Sequence, residues 1–227
     1  MKLTKSNYYD KRLVVKPWGH EYVIFRHKDI LSVTLLHINP KKSTSLHCHP
    51  TKKTGFVLLD GKALIQLGLW KSERKVYNSP SKLMIRTGLF HSIKCVSKQP
   101  LLALEFETPV DKKDLVRFDD KYGRQNKSYE TGKKFSNKNV DYIRYKKFEK
   151  NKKYNFGKTI VELETHFNFK KLIKQKDKTI FAVLNGNVCT KNNKKLLSSG
   201  DIIKTGTFKK LSKVFKINKK LTVLKIH

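Results

Sequence analysis

The sequence predicts an all-β protein made of two β-barrel units in tandem, the second a degenerate copy of the first. Three observations predict it. From Tyr22 to Leu104 the chain runs in short apolar or alternating stretches: YVIF, LSVTLLHI, TGFVLLDGKALIQLGL, KLMI and PLLALEF. Pro, Gly, Asn, Ser and Lys clusters separate them, and helical periodicity is almost absent. Beyond a polar segment, QNKSYETGKKFSNKN, the same character returns in KTIVELETHF, TIFAVLNGNVCT, KLLSSGDIIKTG and LTVLKIH. The third observation is an internal repeat. FVLLDGKALI (Phe56 to Ile65) matches FAVLNGNVCT (Phe181 to Thr190), each a strand, a turn ending in Gly and a return strand. KLMIRTGLFHS (Lys82 to Ser92) likewise matches SGDIIKTGTFKK (Ser199 to Lys210), with Lys209 where the first copy has His91.

These landmarks divide the chain into a first unit over residues 1–125, a linker over 126–144 and a second unit over 145–227. The polar stretch DKKDLVRFDDKY, Asp111 to Tyr122, reads as a short helix closing the first unit. With 227 residues and 38% hydrophobic content the chain can bury a substantial core. No apolar run reaches the roughly 18 to 20 residues that span a bilayer, and the first residues lack the apolar block of a signal peptide, so a cytoplasmic protein is expected. Cys48, Cys95 and Cys189 are far apart and form no CxxC, which predicts free thiols.

The formal net charge of +33 invites a nucleic-acid reading. Only Arg12, Arg26, Arg74, Arg86, Arg117, Arg124 and Arg144 are arginine among 51 basic residues, and the lysines are scattered along the whole chain. Base and phosphate forks draw on clustered arginine. A solvated basic surface, with no specific nucleic-acid or membrane partner, is the expectation.

The chemistry concentrates in SLHCHPTKKTG, Ser45 to Gly55. Strand alternation puts His47 and His49 on one face and Cys48 on the other. His91 follows about forty residues later, just after the turn RTG, where a neighbouring strand can bring it opposite the pair. Three neutral imidazoles suit a divalent Zn, Fe, Ni or Mn ion. Glu105 and Glu107 in LEFETP also share a strand face and are candidate catalytic bases. Lys53, Arg86, Arg117 and Arg124 are candidate partners for an anionic substrate. His20, His27, His37, His166 and His227 fit no constellation, and Trp18 reads as packing at a barrel end.

His47, His49, Gly61, Gly88 and His91 resemble the paired motifs of the cupin superfamily, with Arg86 where the second motif has proline. More narrowly, KPWGHEYVIF (Lys16 to Phe25) and DLVRFDDKYGR (Asp114 to Arg124) resemble the isomerase half of type II phosphomannose isomerases and their bicupin relatives. The resemblance covers about residues 14 to 125. It implies two double-stranded β-helix barrels, a metal on His47, His49 and His91, and mannose-6-phosphate isomerase-like action on an anionic carbohydrate. The second barrel, without ligands, is expected to serve packing or homodimerisation. The family's metal-binding Glu would fall near position 53, where this chain has Lys52, Lys53 and Thr54. Two other classes fit the same residues: a three-His iron dioxygenase of a small organic substrate, and a non-catalytic sugar- or metabolite-binding cupin.

Overall fold

The computed structural model describes residues 13–124, 135–136 and 152–227. The first part contains β1 (Leu13–Lys16), β2 (Gly19–His27), β3 (Leu31–Ile38), β4 (Leu46–Cys48), β5 (Lys53–Asp60) and β6 (Lys62–Leu67). It continues with β7 (Arg74–Asn78), β8 (Ser81–Ile85), β9 (His91–Cys95), β10 (Leu101–Thr108) and β11 (Val116–Asp119). The remainder comprises β12 (Phe135–Ser136), β13 (Lys153–Phe156), β14 (Thr159–His166), β15 (Ile180–Cys189), β16 (Lys195–Leu197), β17 (Ile202–Lys204), helix α1 (Thr205–Leu211) and β18 (Lys216–Ile226). The fold is all-β, as the sequence predicts.

The strands form three antiparallel sheets. Seven strands run in the order β12-β1-β2-β3-β10-β5-β8, five in the order β11-β4-β9-β6-β7, and six make the third sheet, β13-β14-β18-β15-β16 with β17 on β15. The seven-stranded sheet buries both faces. Leu36, Ile38, Phe56 and Leu58 on one face pack with Ile65 and Ile93 of the five-stranded sheet. Leu31, Val33, Val57, Leu59 and Phe106 on the other face pack with Val161, Ile180, Leu184, Leu224 and Ile226 of the six-stranded sheet. That double burial explains why β3 and β5 are buried along most of their length and why Phe56 to Leu59 is an unbroken apolar run, since neither face has to be polar.

The two matched stretches take different courses: Phe56 to Ile65 runs through β5 and β6, which lie in different sheets and do not pair with each other, whereas Phe181 to Cys189 lies within the single strand β15, so neither makes the expected turn and return strand. Gly61 and Gly186 both have φ +89°, a conformation costly for any residue with a Cβ. A Cβ at Gly186 would lie 2.0 Å from the carbonyl oxygen of Lys220. The second pair of matched stretches differs too, after β17. TGTFKKL forms α1 where the first copy enters β9, and Phe208 from that helix is fully buried against Phe169 and Phe181.

One sequence expectation is corrected here. The stretch Asp111 to Tyr122 contains no helix; Val116 and Arg117 instead pair with Cys48 and His47 at the sheet edge. Sheet hydrogen bonds there outweigh a weak helical pattern. The expected linker lies outside the described residues except for Phe135–Ser136, which pairs with Leu13 and Val14 as β12.

Candidate metal centre

β4 and β9 sit side by side in the five-stranded sheet with His47 and His91 as direct partners. His49 follows two residues after His47 on the same face. The imidazole centroids are 4.5 Å apart for His47 and His91, 5.1 Å for His47 and His49, and 5.4 Å for His49 and His91. One ligand atom from each falls within 4.8 Å of the others.

The ring orientations are set from the backbone. His47 Nδ1 lies 2.9 Å from the Ser45 carbonyl, His49 Nδ1 2.6 Å from the Asp114 carbonyl, and His91 Nδ1 3.0 Å from the Leu89 carbonyl. A carbonyl only accepts, so each Nδ1 carries the proton and each Nε2 is left with a lone pair. The Nε2 atoms of His49 and His91 are buried and have no hydrogen-bond partner. Burial lowers the pKa of all three imidazoles; neighbouring rings add to it at His47 and His91, and the charge of Lys52 adds to it at His49, and His91 falls to about 4. Three neutral, inward-facing acceptors without protein partners fit a divalent metal. Such an ion would supply Lewis acidity at the pocket floor.

The histidines open into a cavity of about 70 Å³ whose wall also includes Glu105, Glu107, Lys112, Arg117 and Arg124. Glu105 and Glu107 bring ligand atoms within 4.8 Å of His49. Their environments differ. Glu107 accepts from Lys52 Nζ at 2.5 Å and from Lys112 Nζ at 2.8 Å. Burial alone would raise its pKa, but the two ammonium groups hold it below the usual carboxylate range. Glu105 is pushed the other way, by burial first and then by the charges of Glu107 and Glu21.

The sequence placed Lys53 and Arg86 in the substrate pocket, and the structure places neither there. Lys53 points to the opposite face of β5 and pairs at 2.7 Å with Asp201, the residue just before β17. Arg86 is exposed outside the cavity. Arg117 lines the cavity as the strand partner of His47. Arg124 also lines it, with its Nε and Nη2 bound to Asp120 at 3.0 and 2.8 Å. Trp18 is buried and forms part of the cavity wall as well as the core.

Sequence reasoning missed Lys52, Lys112, Asp114 and the buried Lys16–Glu21 pair, 3.4 Å apart. Asp114 is a latch: its carboxylate accepts the backbone N–H groups of Thr51 and Lys52, and its carbonyl orients His49. Its position two residues before β11, opposite the HxH strand, carried the only available signal.

A family model described as mannose-6-phosphate isomerase C-terminal matches residues 4–120. Among solved structures, the capsular polysaccharide assembling protein CapF from Staphylococcus aureus is 17% identical over 48% of this chain, with a TM-score of 0.42. This chain covers 34% of CapF, about a third of its length. The cupin domain of Schizosaccharomyces pombe Cnp3 is 12% identical, covering 40% of this chain and 64% of that one, with a TM-score of 0.36. No curated protein sequence matches. With just over half its length matched by the family model, the chain belongs to the mannose-6-phosphate isomerase C-terminal family, within the cupin superfamily its histidine motifs resemble.

Proposed function

We propose that the pocket is a metal-dependent site acting on an anionic carbohydrate, with aldose–ketose isomerisation of a sugar phosphate as its reaction. The observation that supports the reading best is the convergence of three Nε2 lone pairs with two carboxylates of opposite electrostatic bias in one cavity. Isomerisation needs a group that takes a proton from one carbon and returns it to the next. Glu105 suits that task because its raised pKa brings proton release nearer neutral pH. Glu107, fixed as an anion between Lys52 and Lys112, raises the affinity of Glu105 for the proton. Arg117 lies beside His47 and is the basic group best placed for the substrate's phosphate. The cavity admits only the reacting end of a sugar, so the phosphate sits at its opening.

Metal analysis of the purified protein and a coupled assay of mannose 6-phosphate conversion to fructose 6-phosphate test the reading together. Turnover that is lost on chelation, restored by one divalent metal and lost in Glu105→Gln is expected. Metal binding without isomerisation of any hexose phosphate would overturn it. Substrate-dependent oxygen uptake with Fe(II) would assign the site to oxygenase chemistry instead.

A further inference from the structure

The outer face of the five-stranded sheet, opposite the histidines, carries a second cavity of about 230 Å³. Alternation puts His91 and Ile93 inward and Ser92 and Lys94 outward on β9, so the two cavities lie on opposite faces of one sheet. Leu46 and Leu64 contribute apolar surface, and Leu69 and Phe118 beside them are 41% and 56% exposed. Lys71, Arg74, Lys94 and Lys121 line the cavity against one acid, Asp119. The combination calls for a ligand that is both anionic and apolar.

Arg74 is built into the cavity by a buried amide. Gln66, 4% exposed, is its direct partner across the β6–β7 pair. Gln66 Nε2 donates to the carbonyls of Gly68 and Leu69 at 3.1 and 3.2 Å, which fixes the amide orientation. Its Oε1 therefore faces Arg74 and accepts from Nε at 2.8 Å. Among the described residues Arg74 has no carboxylate within ion-pair distance, so its two Nη groups keep the fork that grips a phosphate in bidentate fashion. Lysine scattered over a surface has no such fixed geometry.

We propose that this outer cavity binds a small organic phosphate with a planar apolar ring, a mononucleotide being the type, with its phosphate on Arg74 and Lys94 and its ring over Leu46, Leu64 and Phe118. The volume lies below the roughly 300 Å³ at the small end of common ligand pockets, which favours a compact ligand. This proposal is independent of the chemistry at the histidines.

Calorimetric titration of the full chain with adenosine monophosphate tests it, with inorganic phosphate and adenosine as separate arms. Saturable one-site binding of the nucleotide is expected, weakened at least tenfold in Arg74→Gln, weakened less in Arg74→Lys, and unchanged in Glu105→Gln. Phosphate and adenosine should each bind more weakly than the nucleotide. Equal affinity of Arg74→Gln and the parent would overturn the proposal, and so would loss of binding in Glu105→Gln, which would move the ligand to the histidine pocket. Inorganic phosphate binding as tightly as the nucleotide would leave the apolar surface without a role and defeat the assignment. Binding of a uridine tetranucleotide without binding of the mononucleotide would make the face a single-strand platform and defeat it too.

Discussion

Thr54 and Glu107 are direct partners across the β5–β10 pair, both buried, at the point where the cupin resemblance expects a metal-binding carboxylate near the start of β5. A short hydroxyl on one strand faces a long carboxylate on its neighbour. The pocket keeps a carboxylate at this point, on β10 rather than β5, and both its oxygens are held by lysines.

Removing an imidazole tests the centre most directly. His91→Ala should reduce Co(II) or Zn(II) affinity by more than the roughly 10–100-fold that loss of an outer-shell partner costs. Dialysis followed by elemental analysis reads this, and retained stoichiometric metal would dismiss the three-histidine site.

The histidines also predict the pH dependence of stability without metal. Their folded pKa values lie below the unfolded value of about 6.5, so between those limits the unfolded chain binds more protons. Stability should therefore fall as pH drops from about 6.5 toward 4, the folded value of His91. Urea midpoints across that range check the sign. His91→Gln should show a shallower decline.

Lys52 and Lys53, adjacent in sequence, should behave differently. Lys52→Ala strips one of two ammonium groups from buried Glu107 and should cost on the order of 3 kcal/mol. Lys53 is 38% exposed at its side chain, and Lys53→Ala should cost about 1 kcal/mol or less. Lys53→Glu would face Asp201 rather than the histidines, so it should destabilise the fold and leave metal affinity as in the parent. Denaturant unfolding and metal titration separate these effects.

Phe208→Ala probes how α1 is held to the six-stranded sheet. The side chain is fully buried under α1, and its loss should cost roughly 3–5 kcal/mol. A change below 1 kcal/mol would mean that α1 is not anchored through this ring.

The histidine triad was legible in the sequence because a period of two and a glycine turn leave few ways to place it. The lysines were not. In a strand with one wet face, polar residues show which side faces water, but β5 is buried on both sides and reads KTGFVLLD without alternation. Alternation groups Lys52 with Phe56 and Lys53 with Val57, but nothing in that run says which of the two buried faces turns toward the histidines. The pairing partners decide it: Glu107 on one side and Asp201 on the other, 55 and 148 residues away in the chain. The stretch from Asp111 to Tyr122 failed as a helix for a related reason, since its partners on β4 are remote in sequence. Gln66 and Arg74 were similarly hidden, because their pairing depends on the register of β6 with β7.

The double burial of the central sheet also orders events during synthesis. Leu31, Val33, Val57, Leu59 and Phe106 leave the ribosome well before the residues that cover them, Val161 to Ile226. At roughly 5–20 residues per second, that oily face waits several seconds or more for its cover. The nascent first half therefore exposes an adhesive face, and the six-stranded sheet, made last, shields it as a built-in chaperone would.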